Sequence, residues 1–212
     1  MKAWNPDPKL AKDRAALVLF DVLEEYVHPK DPEKAAAMKE QKVAEHMTQL
    51  LNGARDAGLY IFFAAANHSP DGTDVVSRLT DTDMELRPWA GEAKPIKPGV
   101  HRGEAGAQVA RELTPRETEI VVHKHRWSAF FQTSLELNLR TRGIDTIVLA
   151  GLSTDVGIVS TAFSARDADF GIVFVRDACY AHRGPNHDFL MDRIFPRMGR
   201  VMTTAQAVAL MK

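Results

Sequence analysis

With 212 residues, 45% of them hydrophobic and 26% charged, the chain is long enough to bury a sizeable core and is read as one domain spanning 1–212. Its 27 basic and 28 acidic residues carry no long charge block, which excludes the cationic footprint that nucleic-acid binding relies on. The single cysteine, Cys179, excludes a disulfide framework and a thiolate metal cluster. The polar stretch 1–14 lacks the apolar core of a secretion signal, and no run approaches the roughly 20 apolar residues of a membrane span, so a soluble, cytoplasmic protein is expected.

The elements follow in order. Residues 16–20 (ALVLF) form the first short, continuously apolar run, and Asp21 stands directly after it. A helical pattern covers 32–57 and closes on Gly58, the residue type that best ends a helix in the left-handed conformation. A second apolar run, 59–66 (LYIFFAAA), leads to Asn67 and His68. The stretch 67–103, rich in Pro, Gly and charge, is too long for a plain connection and reads as a functional loop or lid. Beyond it come a helical segment 104–113, a strand 119–123 followed by Lys124, a helical segment 133–142 and a strand 146–151. A small-residue turn with Ser153 and Gly157 then opens a helix over 155–168, for which Asp155 is the expected N-cap. Strand 171–177 ends on Asp177, a helical region follows His187, and a sixth strand spans 200–204.

Runs that are β-branched, short and apolar on both sides mark strands buried on both faces, and their alternation with helices implies a parallel α/β sheet with right-handed crossovers. Ligands in such sheets bind beyond the carboxyl ends of the strands. That rule selects Asp21, Asn67, His68, Lys124, the turn from Ser153 to Gly157, and Asp177. A carboxylate and a lysine thus end two strands that are candidate neighbours.

These residues resemble a family. FDVLEEYV resembles the first-strand aspartate segment of the isochorismatase-like hydrolases, and the stretch from Lys124 to Ala178, with KHRWSAF at its start, is similar to their long central signature. The resemblance implies a three-layer Rossmann-like α/β fold, a six-stranded parallel sheet with helices on both faces. It also implies that Asp21 and Lys124 match the family's catalytic Asp and Lys, and that the position of its nucleophilic Cys is Gly157. Glycine has no side chain with which to attack an amide carbonyl. Isochorismatases proper also carry glycine there, which in that reading leaves room for substrate and water. Their chemistry needs an acid to protonate the vinyl carbon of an enolpyruvyl ether, after which water adds and pyruvate leaves.

The implied enzyme is therefore a cysteine-independent hydrolase of a small organic acid, most concretely an enol ether, with Asp21 as general acid/base and Lys124 assisting. The resemblance further implies a cis peptide between Leu152 and Ser153, and oxyanion- or carboxylate-binding amides at Ser153 and Gly157. Alternatives are an amidohydrolase that activates water, or a binding protein that kept the fold and lost catalysis. The chain departs from isochorismatases at Leu23, at Thr154 and Asp155 in the turn, and at Asn67, His68 and Ser69 after the second strand, which leaves the substrate open.

His68, Trp127, Phe130 and Cys179 are pocket candidates, each with a plain packing role as its competitor; Phe131 reads as core. Asn67 and His68 are too poor a set of ligands for zinc or iron, so no metal and no cofactor are expected. Arg87, Lys94, Lys97 and Arg102 on the long loop are solvated charges, one of which could clamp an anion. Ser160 and Thr161 fall inside a helix and are not replacement nucleophiles. The expected partner is a small-molecule substrate, with no nucleic acid and no membrane, in a homo-oligomer, dimer or tetramer.

Overall fold

A computed structural model of the chain describes residues 10–75, 100–182 and 184–212. Six parallel strands, β1 (Ala15–Phe20), β2 (Tyr60–Ala66), β3 (Ile120–Lys124), β4 (Thr146–Leu152), β5 (Gly171–Tyr180) and β6 (Arg200–Met202), form one sheet in the order β3-β2-β1-β4-β5-β6. The order reverses between β1 and β4, so a crevice opens there at the carboxyl ends. Every residue of β1 is buried, which its unbroken AALVLF run dictates for a strand covered on both faces.

The helices are α1 (Glu24–Val27), α2 (Pro32–Glu40), α3 (Val43–Ala57), α4 (Leu135–Thr141), α5 (Val159–Asp167), α6 (Asn186–Phe189) and α7 (Thr204–Leu210). Right-handed crossovers running one way from β1 to β2 and the other way from β4 to β5 place α3 and α5 on opposite faces of the sheet. On its face, α3 packs against β2, β5 and α7. It buries Met47, Leu50, Leu51 and Ala54 at helical spacing and ends on Gly58 in the left-handed conformation.

Several boundaries differ from the sequence reading for identifiable reasons. The pattern 32–57 is two helices, because Lys42 adopts a left-handed backbone (φ 52°) between them. Asp31 caps α2 by accepting from the amides of Glu33 and Lys34 at 3.0 and 3.1 Å, with Pro32 in the first turn. The segment 104–113 is no continuous helix: between its short turns the backbone bonds to the residues after β1, through Glu24 N–H to Gln108 O and Ala110 N–H to Val22 O. Only the single turns Ala105–Ala107 and Arg111–Leu113 remain helical.

β5 runs three residues past Asp177. A register shift against β4 bulges Arg176 and Asp177 away from the ladder, where Asp177 accepts from the amide and hydroxyl of Thr204, both at 2.7 Å, and Arg176 pairs with Asp188 and Asp192. Strand β6 stops at Met202 because Thr203 begins α7 with a capping box to Gln206. Among the described residues no helix is long and apolar enough to cross a membrane.

Leu50 has no exposed surface, so Leu50→Ala is expected to cost about 2–5 kcal/mol. Urea denaturation should show a lower midpoint with an unchanged slope, and an unchanged midpoint would contradict the packing of α3.

Candidate active site

Strand β1 ends at Phe20, and Asp21 turns out of the ladder with a left-handed backbone (φ 46°), a conformation aspartate tolerates better than most residues. Its amide still donates to Ala64 O at 2.8 Å, while its carboxylate faces the carboxyl-end crevice. Oδ1 accepts from the amide of Ala66 at 2.8 Å, and Oδ2 lies 2.7 Å from Lys124 Nζ. Both side chains are buried.

Asp21 and Lys124 do not stand on adjacent strands: β2 lies between β1 and β3. Paired residues of parallel strands share a face, and the registers Phe20↔Ala64, Ala64↔Val122 and Ala66↔Lys124 put Phe20, Ala64, Ala66 and Lys124 on the same one. The intervening strand offers only methyl groups there, so the long lysine passes over it to reach Asp21. On the way, Nζ sits 4.2 Å from the centroid of the Phe20 ring, a cation–π distance.

Burial, the largest influence on Asp21, raises its pKa above the usual carboxylate value, and Lys124, the Ala66 amide and His68 oppose the rise without cancelling it. The carboxyl is therefore easier to protonate than a surface aspartate. Burial also raises the pKa of the neighbouring Tyr26 hydroxyl, with the charges of Asp21 and Glu25 adding to it.

A cavity of about 380 Å³ joins these groups to the turn after β4. Asp21, Lys124, His68, Trp127, Ser153 and Gly157 all line it. The Leu152–Ser153 peptide is cis, as the family resemblance implies. The turn itself is a wide loop of helix, Thr154–Ile158, leading into α5. Asp155 does not cap that helix: its carboxylate accepts instead from Ser153 Oγ at 2.8 Å and from Asn186 Nδ2 at 2.9 Å, tying the turn to the segment after β5.

The motif after Lys124 has a bracing role. Ser128 Oγ donates to Ser164 Oγ at 2.8 Å and the Ala129 amide to Thr161 Oγ1 at 3.0 Å, clipping the lysine-bearing segment onto α5. Thr161 is fully buried in that contact.

The expectation about Gly157 is corrected in part: the glycine lines the cavity, but the direction a side chain would take from it is filled, since a Cβ built there would overlap Cε1 and Cζ of Phe20. Two pocket candidates are also corrected. Phe130 packs on Phe170, with ring centroids 5.5 Å apart, and is not among the residues lining the cavity. Cys179 is buried in β5 opposite Gly151, outside the cavity, and burial pushes its thiol pKa up to about 12. Trp127 lines the mouth of the cavity and is 63% exposed, and Phe131 is exposed rather than core.

Arg102 is exposed and absent from this lining, and Arg87, Lys94 and Lys97 lie outside the described residues. Nδ1 of His68 is buried and 3.4 Å from Asp74 Oδ1 without forming a hydrogen bond, and burial lowers the pKa of the ring. Asp74 already accepts from the Ser69 amide at 2.9 and 3.0 Å. Among the described residues, the side chains close enough to share an ion are Glu24, His28 and Glu112, which do not line this cavity.

Residues 15–206 match the family model described as the isochorismatase domain. The chain belongs to the isochorismatase family. It is 30% identical over 191 residues to the uncharacterized isochorismatase family protein YecD of Escherichia coli O157:H7, covering 90% of this chain and 93% of that one. It is 28% identical over 195 residues to the maleamate amidohydrolase of Pseudomonas putida, covering 92% of this chain and 85% of that one. Among solved structures, an isochorismatase family protein from Burkholderia thailandensis superposes with a TM-score of 0.78 at 31% identity, covering 96% of this chain and 98% of that one. This isochorismatase-family hydrolase therefore has the six-stranded α/β architecture of its relatives.

Sequence reasoning missed several lining residues of the hydrolase, among them Phe20, Tyr26, Arg126 and His182. His182 was findable once the end of β5 is placed at Tyr180, because it then follows a strand end like the others. Tyr26 carries no such mark, since it reaches the cavity from α1.

Because the Cys179 thiol is buried with a raised pKa, the native hydrolase is expected to resist iodoacetamide at pH 8 while the denatured chain is alkylated fully. Peptide mass spectrometry reads the outcome, and rapid modification of the folded protein would contradict the placement.

Proposed function

We propose that this hydrolase acts without a covalent nucleophile on a small organic acid, most concretely an enol ether, with Asp21 as the proton-transfer group and Lys124 assisting. The observation that carries the reading is a buried carboxyl with a raised pKa, facing a cavity whose turn holds glycine at the nucleophile position.

In this reading protonated Asp21 gives its proton to the terminal vinyl carbon, and the ether carbon becomes an oxocarbenium ion. Water adds to that carbon and loses a proton to the Asp21 carboxylate. The resulting hemiketal breaks to an alcohol and pyruvate, and Asp21 is again protonated. Lys124 would bind the substrate carboxylate, and the Ser153 and Gly157 amides offer donors for the same group or a developing oxyanion. His182 and His68, whose pKa values burial lowers, stay mainly neutral at pH 7 and suit polar contacts rather than charge pairing.

A second reading, amide hydrolysis by water that Asp21 activates, draws its support from the maleamate amidohydrolase relative. Loss of catalysis in a binding protein is the third. The exposed side chains of Trp127, Phe131 and Phe163 support the companion proposal of self-assembly into a dimer or tetramer.

Product assays for pyruvate and ammonia on a panel of enol ethers and small amides separate these readings. The proposal expects pyruvate from wild type and a loss of about 10²–10⁴-fold in kcat for Asp21→Asn with substrate binding retained. Ammonia alone favours the second reading, and binding without any turnover favours the third.

The pH dependence has a definite sign. An obligatory acid is lost as pH rises through its pKa, so kcat/KM should fall on the alkaline side of the raised Asp21 value. Lys124 lowers that value, so Lys124→Met should move the falling limb to higher pH. A limb unmoved by Lys124→Met would assign it to another group.

A further inference from the structure

The space beside Gly157 is occupied by part of the chain itself. Phe20 is 1% exposed, and Cε1, Cζ and Cδ1 of its ring stand where the first side-chain atom of any other residue at 157 would have to go. The residue is fixed at both ends. Its main chain lies so close to Gly151 that a Cβ there would run into it, and Lys124 Nζ lies over the face of its ring at 4.2 Å while paired to Asp21. Swinging the ring out of the way would strip the lysine of that contact.

We infer that Phe20 is a specificity-determining residue of this site: its ring fills the nucleophile's place and closes the site to covalent catalysis. Gly157 and Phe20 then form one coupled choice, glycine in the turn because an aromatic ring ends β1. The inference deepens the nucleophile-free reading and rests on it for its meaning, but its test requires no substrate, so either can fail without the other. It also implies that a thiol cannot be restored to the turn by one substitution: room exists only when the ring is removed as well.

The test is a double-mutant cycle on stability, followed by a thiol probe. Gly157→Ala adds only the atom that meets Phe20, and overpacking of this kind should lower the melting temperature by roughly 2–12 °C in a chain of this length. The same change made on Phe20→Val should cost nothing or raise the melting temperature, because it then refills vacated space. A Gly157→Ala protein that fails to fold while Phe20→Val/Gly157→Ala folds is the same result in stronger form. Equal losses in both backgrounds, or failure of both to fold, would overturn the inference.

For the probe, Gly157→Cys and Phe20→Val/Gly157→Cys are treated with iodoacetamide, in which a sulfur–carbon bond forms, iodide leaves and the thiol proton passes to solvent. Peptide mass spectrometry should find the label at position 157 in the double variant and little or none in the single one. Equal labelling of the two would show that Phe20 never excluded the thiol.

Discussion

A carboxylate and an ammonium 2.7 Å apart, both withdrawn from solvent, constrain everything around them. Taking two charges out of water is expensive, and the pair survives only where geometry and further hydrogen bonds repay the loss. The fold supplies those terms from separate elements. The left-handed turn of Asp21 aims the carboxylate, the Ala66 amide satisfies its second oxygen, and the two alanines of β2 on that face, Ala64 and Ala66, let the lysine cross a whole strand. The Phe20 ring lies beneath the ammonium, and the clip from Ser128 and Ala129 onto α5 braces the segment that follows it. An apolar run of six residues in β1 is thus the foundation of a polar site.

The same arrangement sets the chemistry. Burial raises the carboxyl pKa and the nearby cation lowers it, and burial prevails. An acid poised in this way is suited to giving up and recovering a proton. With a phenyl ring beside the turn glycine, the remaining tools are proton transfer, backbone donors and a captured water. In the proposed reading, that combination serves a substrate that needs protonation at carbon more than attack at a carbonyl.

Much of this was legible in the sequence, for physical reasons. Strands buried on both faces announce themselves as continuous apolar runs, and a charge at the end of one is conspicuous, which is why Asp21 and Lys124 stand out. The cis Leu152–Ser153 bond followed from family resemblance, not from any property of leucine or serine. What stayed hidden depends on pairing. That Asp177 belongs to a bulge and not to the strand end is decided by contacts with Thr204, 27 residues away. The role of Phe20 looked like ordinary core packing, because nothing in an apolar run says that one ring will point at a glycine in a turn more than 130 positions later. Helix 32–57 broke at Lys42, a residue with no sequence mark of a breaker, and the segment 104–113 lost its helix to hydrogen bonds with the loop after β1.

The most direct test of the account is the titration of Asp21 itself. Carboxyl-carbon NMR across the acidic and neutral range, with the signal assigned by its absence in Asp21→Asn, reads the protonation of this group in the folded protein. The account predicts a midpoint clearly above the ordinary aspartate value of about 3.9, despite Lys124 at 2.7 Å. A midpoint at or below that value would mean that the lysine outweighs burial, and an Asp21 locked as a carboxylate would contradict the proton-donor role.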